Sequence, residues 1–502
     1  MSRISHVCFL LVLSVCCRAQ AVYHELYRPG FHFSPKEKWM NDPNGMVRYD
    51  GVYHLFFQYY PNDIVWGPMH WGHATSKDLV HWEQQPIALY PDSIGYIFSG
   101  SAVIDSNNTL GVGARAMVAI FTQHDPEGEK RHTDNFQNQS LAYSLDNGAT
   151  FTKYPGNPVL KNPGITDFRD PSVSWYPRTR RWIMTLATKD RISFYSSPDL
   201  KDWTRESEFG VGIGSHGGVW ECPNLFPLVR TEHEHERTYW VLIVSNNPGG
   251  PNFGSGTQYF IGQWDGHVFK PQDTITRWID YGPDDYAGVT WSNTGRRRIF
   301  LGWMSNWEYA NTVPTATWRN AMTVPRNLFL EDAGGRLYVA SKPAPEIYKL
   351  SRSKAELTHV TVDSTRNLTN VLQDSAGRYI LNVRGAADES VDFVFSSAAG
   401  EKIVFGYNPN KNQYWIDRSG AGKVDFHPGF GSTYTAPRLS DNNNLDLEFV
   451  MDRSSLEVFA DNGVTVMTAV FFSQAPMTRL RVNTTNVYVI RKLTVMRLAS
   501  IW

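Results

Sequence analysis

Cysteine is scarce in this 502-residue chain: Cys8, Cys16 and Cys17 crowd the N-terminus, and Cys222 is the only other one. With the N-terminal segment removed no intramolecular disulfide can form, so stability has to come from packing. No HExxH or paired-His spacing occurs, which excludes a zinc site unless histidines and carboxylates build it. Basic charge is not concentrated either. Lys and Arg number 48 against 49 Asp and Glu, for a formal net charge of −1, and no run forms a stripe that could track phosphates. Nucleic acid is therefore not an expected partner. Helical periodicity is nearly missing, which argues against a helical fold.

Long apolar runs are also lacking. The one candidate, VCFLLVLSVCC, has 11 residues, where a membrane-spanning helix needs about 20. It follows Arg3 and precedes CRAQA, whose small residues offer a cut after Ala19 or Ala21. The expectation is a secretory signal over 1–21 and an exported protein without a membrane anchor. Sequons at Asn107, Asn138, Asn367 and Asn483 are compatible with glycosylation on such a route, and also with chance.

What the chain has is aromatic and β-forming residues. Aromatics make up 14%, with 17 Trp, enough for a large β core or for sugar-stacking surfaces. Runs such as VYHLFFQYY, RWIMTLAT, TYWVLIVS and RRIFLGWM are separated by Gly, Asn, Asp and Pro turns, so the fold reads as mostly β. A faint repeat runs through TSKDLVHW (75–82), YSLDNGATF (143–151), SSPDLKDW (196–203) and GQWDGHVF (262–269), each a polar Asp turn closed by an aromatic. Asp78, Asp146, Asp199 and Asp265 lie 68, 53 and 66 residues apart. That spacing suits four-stranded blades with loop insertions, and hence a β-propeller. After SKPAPEI (341–347) the text alternates cleanly, as in NLDLEFVMDRSSLEVFADNGVTVMTAVFF, which suits a β-sandwich. The expected division is a propeller over 22–342, a linker over 343–355 and a sandwich over 356–502. Length alone favours two domains.

Three stretches hold acids in unusual company. WMNDPNG (39–45) contains Asp42, although Asn-Asp-Pro-Asn-Gly has turn-forming chemistry throughout and in isolation reads as a turn. DFRDP (167–171) sets Arg169 beside Asp170 as a candidate ion pair, and WECP (220–223) sets Glu221 between Trp220 and Cys222. In a propeller the first strand of each blade lines the central channel, so distant acids can meet at its mouth. Two facing carboxyls can cleave a glycosidic bond, one protonating the leaving oxygen and the other attacking or stabilising the oxocarbenium-like centre. Glu221 is the better acid candidate, because Trp220 and neighbouring carboxylates would disfavour its charge. Cys222 is expected mainly to pack.

WMNDPNG, FSGSA (98–102), FRDP, ECP and DRSSLEVF, in this order along almost the whole mature chain, resemble glycoside hydrolase family 32, which contains the invertases, inulinases and levanases. The resemblance implies a five-bladed propeller, a following β-sandwich, and retaining cleavage of terminal β-fructofuranosides without metal or organic cofactor. It implies Asp42 as nucleophile, Glu221 as general acid/base and Asp170 as transition-state stabiliser. Asn41, Gln58, Trp66, Phe98, Ser99 and Arg169 would shape the fructosyl pocket, with one of Trp303, Trp307 or Trp318 stacking there. Asn224 departs from the Asp that many members carry after ECP, which removes a like charge near Glu221 and leaves the pH optimum open. The leading expectation is sucrose hydrolysis to glucose and fructose. Exo-hydrolysis of inulin or levan, fructosyl transfer, and a fructan-binding protein without catalysis are alternatives. The sandwich is expected to be a structural lid, and oligomeric state is not legible.

Overall fold

The computed structural model describes residues 23–502; the expected signal segment and its three cysteines lie outside them. Five antiparallel sheets form a ring of blades. Blade I is built from Lys38–Tyr49, Val52–Tyr60, His70–Ser76 and Glu83–Leu89, and blade II from Tyr96–Asp105, Ala116–His124, Gln137–Ser144 and Thr152–Lys153. Blade III comprises Phe168–Tyr176, Arg181–Thr188, Arg191–Ser197 and Thr204–Phe209. Blade IV comprises Val219–Glu232, His235–Asn247, Gly256–Trp264 and Phe269–Pro271, and blade V Tyr286–Thr290, Ile299–Met304, Arg326–Ala333 and Arg336–Pro343. First strands touch around the ring, including that of blade V against that of blade I. The ring is further closed where Trp318–Arg319, in the long connection inside blade V, pairs with Lys38–Trp39.

The repeated Asp turns all fall in the hairpin between the third and fourth strands of blades I to IV. Asp78 accepts from the amides of Val80 and His81, Asp199 from those of Lys201 and Asp202, and Asp265 from those of His267 and Val268. Asp146 accepts from the Thr150 amide. A short side chain that satisfies its own turn's amides makes the hairpin locally self-sufficient, and the aromatic that follows packs into the blade. Blade V breaks the pattern: Gly334 and Gly335, at φ 53° and 73°, supply a two-residue turn instead. The fifth blade therefore leaves no trace in the repeat.

The connector carries a 3-10 turn over Ile347–Leu350, and the next strand is Ser351–Asn367. The C-terminal region is two packed sheets joined by the 22-residue strand Met477–Leu498. Its first half pairs with Val391–Ser397, which continues to Lys402–Asn408, Gln413–Asp417 and Thr433–Pro437. Its second half pairs with Tyr379–Ala386, which continues to Asn444–Asp452, Ser455–Ala460 and Thr465–Val470. Phe449 of one sheet meets Phe393, Phe395 and Phe405 of the other at 5.2–5.3 Å between ring centroids, the expected interdigitation of a sandwich core.

Between propeller and sandwich lies a sealed ionic cluster. Arg326 contacts Asp280 at 3.0 Å, Asp285 at 2.8 Å and Glu457 at 2.5 Å, and His32 bridges Asp452 at 2.7 Å and Glu457 at 2.8 Å. Arg418 reaches Asp284 nearby at 2.5 Å. Asp452 and Glu457 belong to DRSSLEVF, so that motif is explained by the domain interface. Sequence alternation gave no hint of it, because both acids occupy positions that read as strand surface.

Candidate active site

Each first strand carries a β-bulge, and the bulges lie at corresponding places in the five blades. Ladder registers shift between Met40 and Pro43, Ile97 and Gly100, Arg169 and Ser172, Glu221 and Asn224, and Tyr286 and Val289. In chain order the segments read Asn41-Asp42-Pro43, Phe98-Ser99-Gly100, Arg169-Asp170-Pro171, Glu221-Cys222-Pro223 and Tyr286-Ala287-Gly288. The physical logic is shared. Proline cannot donate to a ladder and glycine tolerates unusual backbone, so a bulge is where an inner strand can hold either. Asp170, Cys222 and Ala287 have φ of 64°, 47° and 54°, left-handed values that cost non-glycine residues about 1 kcal/mol or more and concentrate at functional sites. The turn reading of Asn-Asp-Pro-Asn-Gly is thus corrected: the pentapeptide is a bulged inner strand, with pairing resumed at Pro43–Phe57.

The bulges re-aim side chains into a cavity of about 340 Å³ lined by Asn41, Asp42, Gln58, Trp66, Phe98, Ser99, Arg169, Asp170 and Glu221. Asp42 accepts hydrogen bonds from Ser99 Oγ at 2.7 Å and Asn41 Nδ2 at 2.9 Å, while Trp39 Nε1 fixes Asn41 at 2.7 Å. Burial pushes Asp42 above the usual carboxylate range and the charge of Glu221 adds to this, against those hydrogen bonds. Asp170, 5% exposed, accepts from the Cys222 amide at 3.0 Å. Burial drives its pKa up to about 7, opposed by Arg169 and reinforced by Glu221 and Asp42. Glu221 is gripped by Arg169, whose Nε and Nη2 lie at 3.2 and 2.9 Å, and by the Tyr286 hydroxyl.

Three expectations change in detail. Trp220 does not face the Glu221 carboxyl: neighbours on a strand point to opposite sides, and its fully buried indole stacks on His216 and donates to the Ser215 carbonyl. Arg169 pairs with Asp167 and Glu221, not with Asp170. Cys222 does more than pack, because its Sγ lies 3.5 Å from Asp42 and 3.7 Å from Asp170; burial first, then these carboxylates, holds the thiol well above its ordinary pKa. Asn224 is used elsewhere: it donates to Ser172 Oγ at 2.9 Å and accepts from Thr290 N and Oγ1 at 3.1 and 2.8 Å, tying three blades together.

Of the three candidate tryptophans, Trp307 lines the cavity. Trp303 is fully buried against Trp39 and Tyr286, and Trp318 lies beneath the Arg28 guanidinium. His124, Glu129, Gln137 and Asn311 also line the cavity and were not anticipated, since no motif singles them out; Asp167 lines it too, within the DFRDP stretch but with no role read from it. Tyr286 was legible in principle, because Tyr-Ala-Gly occupies in blade V the place of the Asp-Pro, Ser-Gly and Cys-Pro segments. Among the described residues no cluster of three or more His, Cys, Asp or Glu could hold a metal ion.

Residues 32–341 match the glycosyl hydrolases family 32 N-terminal domain, and residues 346–497 match the family 32 C-terminal domain. The chain belongs to glycosyl hydrolase family 32. It is 44% identical to a levanase of Bacillus subtilis over 99% of this chain and 74% of that protein. It is 38% identical to an extracellular exo-inulinase of Aspergillus niger over 92% of this chain and 93% of that protein. Among solved structures, the Aspergillus awamori exo-inulinase superimposes with a TM-score of 0.87 at 35% identity, covering 96% of this chain and 100% of that one. A Schwanniomyces occidentalis β-fructofuranosidase complexed with fructosyl-erythritol gives 0.84 at 30% identity, covering 96% and 99%. The family 32 chain thus carries its acids on one propeller mouth.

Proposed function

We propose that this family 32 hydrolase is a secreted, retaining β-fructosidase that removes terminal non-reducing β-D-fructofuranosyl residues. The convergence of Asp42, Asp170 and Glu221 on one compact cavity carries the reading. Asp42 attacks the anomeric carbon; its anion is held by Ser99 and Asn41, and its burial removes water that would blunt it. Glu221, steered by Arg169 and Tyr286, gives its proton to the leaving oxygen and then takes one from the incoming water. Asp170 grips ring hydroxyls, and its proximity to two other acids favours a cationic transition state between them. Gln58, 2% exposed with an unpartnered Nε2, and Trp66, Phe98 and Trp307 complete the sugar contacts.

A cavity of about 340 Å³ is large enough for a terminal sugar residue. The likeness to a levanase and to exo-inulinases favours fructan ends as the main substrate, with sucrose as the shortest molecule bearing the same terminal residue. The word extracellular in the relatives' names supports export, and among the described residues no helix is long and apolar enough to cross a membrane. Purified protein incubated separately with sucrose, inulin and levan should release fructose from all three. Equimolar glucose and fructose from sucrose, with slow polymer release, would instead mark an invertase, and no sugar from any would overturn the reading.

A further inference from the structure

A second and larger cavity, of about 610 Å³, lies among the first strands beneath the catalytic one, and Ser99, Asp170 and Cys222 line both. Those strands lead away from the acids. The other end of the cavity is therefore set by the hairpins that follow them, with Arg178 in blade III and Arg298 in blade V. Tyr176 is six residues past Asp170 on one strand, about 20 Å at roughly 3.3 Å per residue, so this far mouth is remote from the chemistry. Its charge is unbalanced. Of three consecutive arginines, Arg296 pairs with Glu236 at 2.8 Å and Arg297 with Glu346 at 2.7 Å, whereas Arg298 has no carboxylate partner among the described residues. Half-buried, Arg298 donates only to carbonyls, through Nε to Pro227 at 3.1 Å and through Nη1 to Gly295 at 2.9 Å and Arg297 at 3.1 Å. Its Nη2 is left without a hydrogen bond, and burial, with no charge to offset it, pushes its pKa below the ordinary value. Arg178 is exposed at the same mouth without an ion pair among the described residues. Trp175 and Trp240 are half-buried in the wall, and neither indole N–H has an acceptor there.

A guanidinium drawn partly out of water without a counter-charge is unfavourable, and an anion would relieve it. The four side chains at this mouth offer donors only. Sugar hydroxyls need acceptors as well as donors, whereas the oxygens of a carboxylate or phosphate only accept. Arginine presents a planar fork that matches either group, and the two indoles add flat apolar surface beside it. The volume suits a small molecule, since such sites span about 300–1,000 Å³. We propose that the far mouth of the propeller channel binds a small organic anion, its carboxylate or phosphate held by Arg298 and Arg178 and its flat apolar body set against Trp175 and Trp240. This site is separate from the fructosyl pocket and stands whether or not the fructosidase reading does.

Calorimetric titration of the whole protein with phenyl phosphate, inorganic phosphate and benzyl alcohol separates the two halves of the ligand. Phenyl phosphate is expected to bind once per chain, more weakly as salt rises, with inorganic phosphate weaker and benzyl alcohol showing no saturable binding. Arg178→Ala, at the exposed rim, and Arg298→Gln, with folding checked by thermal unfolding, should each lose roughly tenfold or more in affinity for phenyl phosphate and hydrolyse fructosides as the parent does. If Arg298→Gln does not fold, Arg178→Ala decides. Binding should also persist at saturating fructose. No saturable binding of phenyl phosphate, undiminished affinity in the folded variants, or displacement by fructose, which would put the anion on Arg169 instead, would each overturn the inference. Inorganic phosphate bound as tightly as phenyl phosphate would overturn the part given to the tryptophans.

Discussion

Two buried charge clusters in this molecule use the same residue types to opposite ends. In the cavity, Arg169 pairs with Glu221 and Asp167 and with neither of the other two acids, which are undercompensated: Asp42 and Asp170 are both raised. At the domain interface, Arg326 and His32 are enclosed by Asp280, Asp285, Asp452 and Glu457, all sealed from solvent. There burial would raise Asp452 and Glu457, but His32 and Arg326 outweigh it and hold both below their ordinary values. Close-set acids destabilise the fold where they serve chemistry, whereas at the interface Asp452 and Glu457 are compensated by their partners, although burial still carries Asp285 well above its ordinary range despite Arg326.

Substitution in the cavity should give the largest functional effect with little structural cost. Asp42→Asn is expected to lower fructoside hydrolysis by roughly 10⁴-fold or more, while the unfolding temperature stays level or rises because one repelling charge is gone. Glu221→Gln should lose about 10²–10⁴-fold, with partial recovery on leaving groups that need little protonation. Activity and melting curves of the same preparations check both. A fall in unfolding temperature with Asp42→Asn would contradict the view of the cavity as strained.

The interface should behave in reverse. Arg326→Met strands three acids out of water and should cost about 3–5 kcal/mol of stability, read by denaturant unfolding, while turnover per folded molecule is nearly unchanged. A selective loss of turnover would mean that the interface also tunes the cavity.

The difference in what the sequence disclosed follows the same division. Asp42, Asp170 and Glu221 stand beside Pro43, Pro171 and Cys222-Pro223, and a proline on an inner strand marks a bulge, so local text announces them. Asp280, Asp285 and His32 meet Arg326 and Glu457 only through long-range packing, and nothing nearby distinguishes them from surface residues. His124, Glu129 and Gln137 fall in this second group, for they acquire meaning only when blade II curls against the mouth. The Asp turns disclosed four blades because each turn satisfies itself locally. Blade V, closed by glycines, became visible only through its strands.

Acidity separates the clusters further. Burial pulls His32 down, yet its hydrogen bonds to Asp452 and Glu457 carry it up to about 9, from 6.5. A raised histidine contributes stability in full below its unfolded value and loses it as pH rises through about 9. Asp170 is raised from 3.8 to about 7, so its favourable contribution is present below 3.8 and vanishes as pH rises through about 7. Unfolding temperature should therefore decline in two stages, first toward neutrality and again near pH 9. His32→Gln is expected to remove the second stage and Asp170→Asn the first. If both variants keep the parent's profile, other groups set the pH dependence.

The smallest effect is expected from Asn224→Asp, which places a carboxylate directly after the Glu221-Cys222-Pro223 segment. The Asn224 acceptor bonds to Thr290 can be kept by a carboxylate, and Ser172 can reverse its hydroxyl to donate to it, so stability should change by less than about 1 kcal/mol. The amide belongs to the ties between blades III, IV and V, and neither the Glu221 nor the Asp42 carboxyl is bonded to it. Turnover should remain within about twofold, since one neutral hydrogen bond is replaced in place, and the pH–rate profile should hardly move. A shift of the acid limb by about one unit would be worth 1.36 kcal/mol of coupling. It would mean that charge at position 224 reaches the catalytic acids through the channel, and the boundary between strained cavity and supporting blades would have to be drawn one residue deeper.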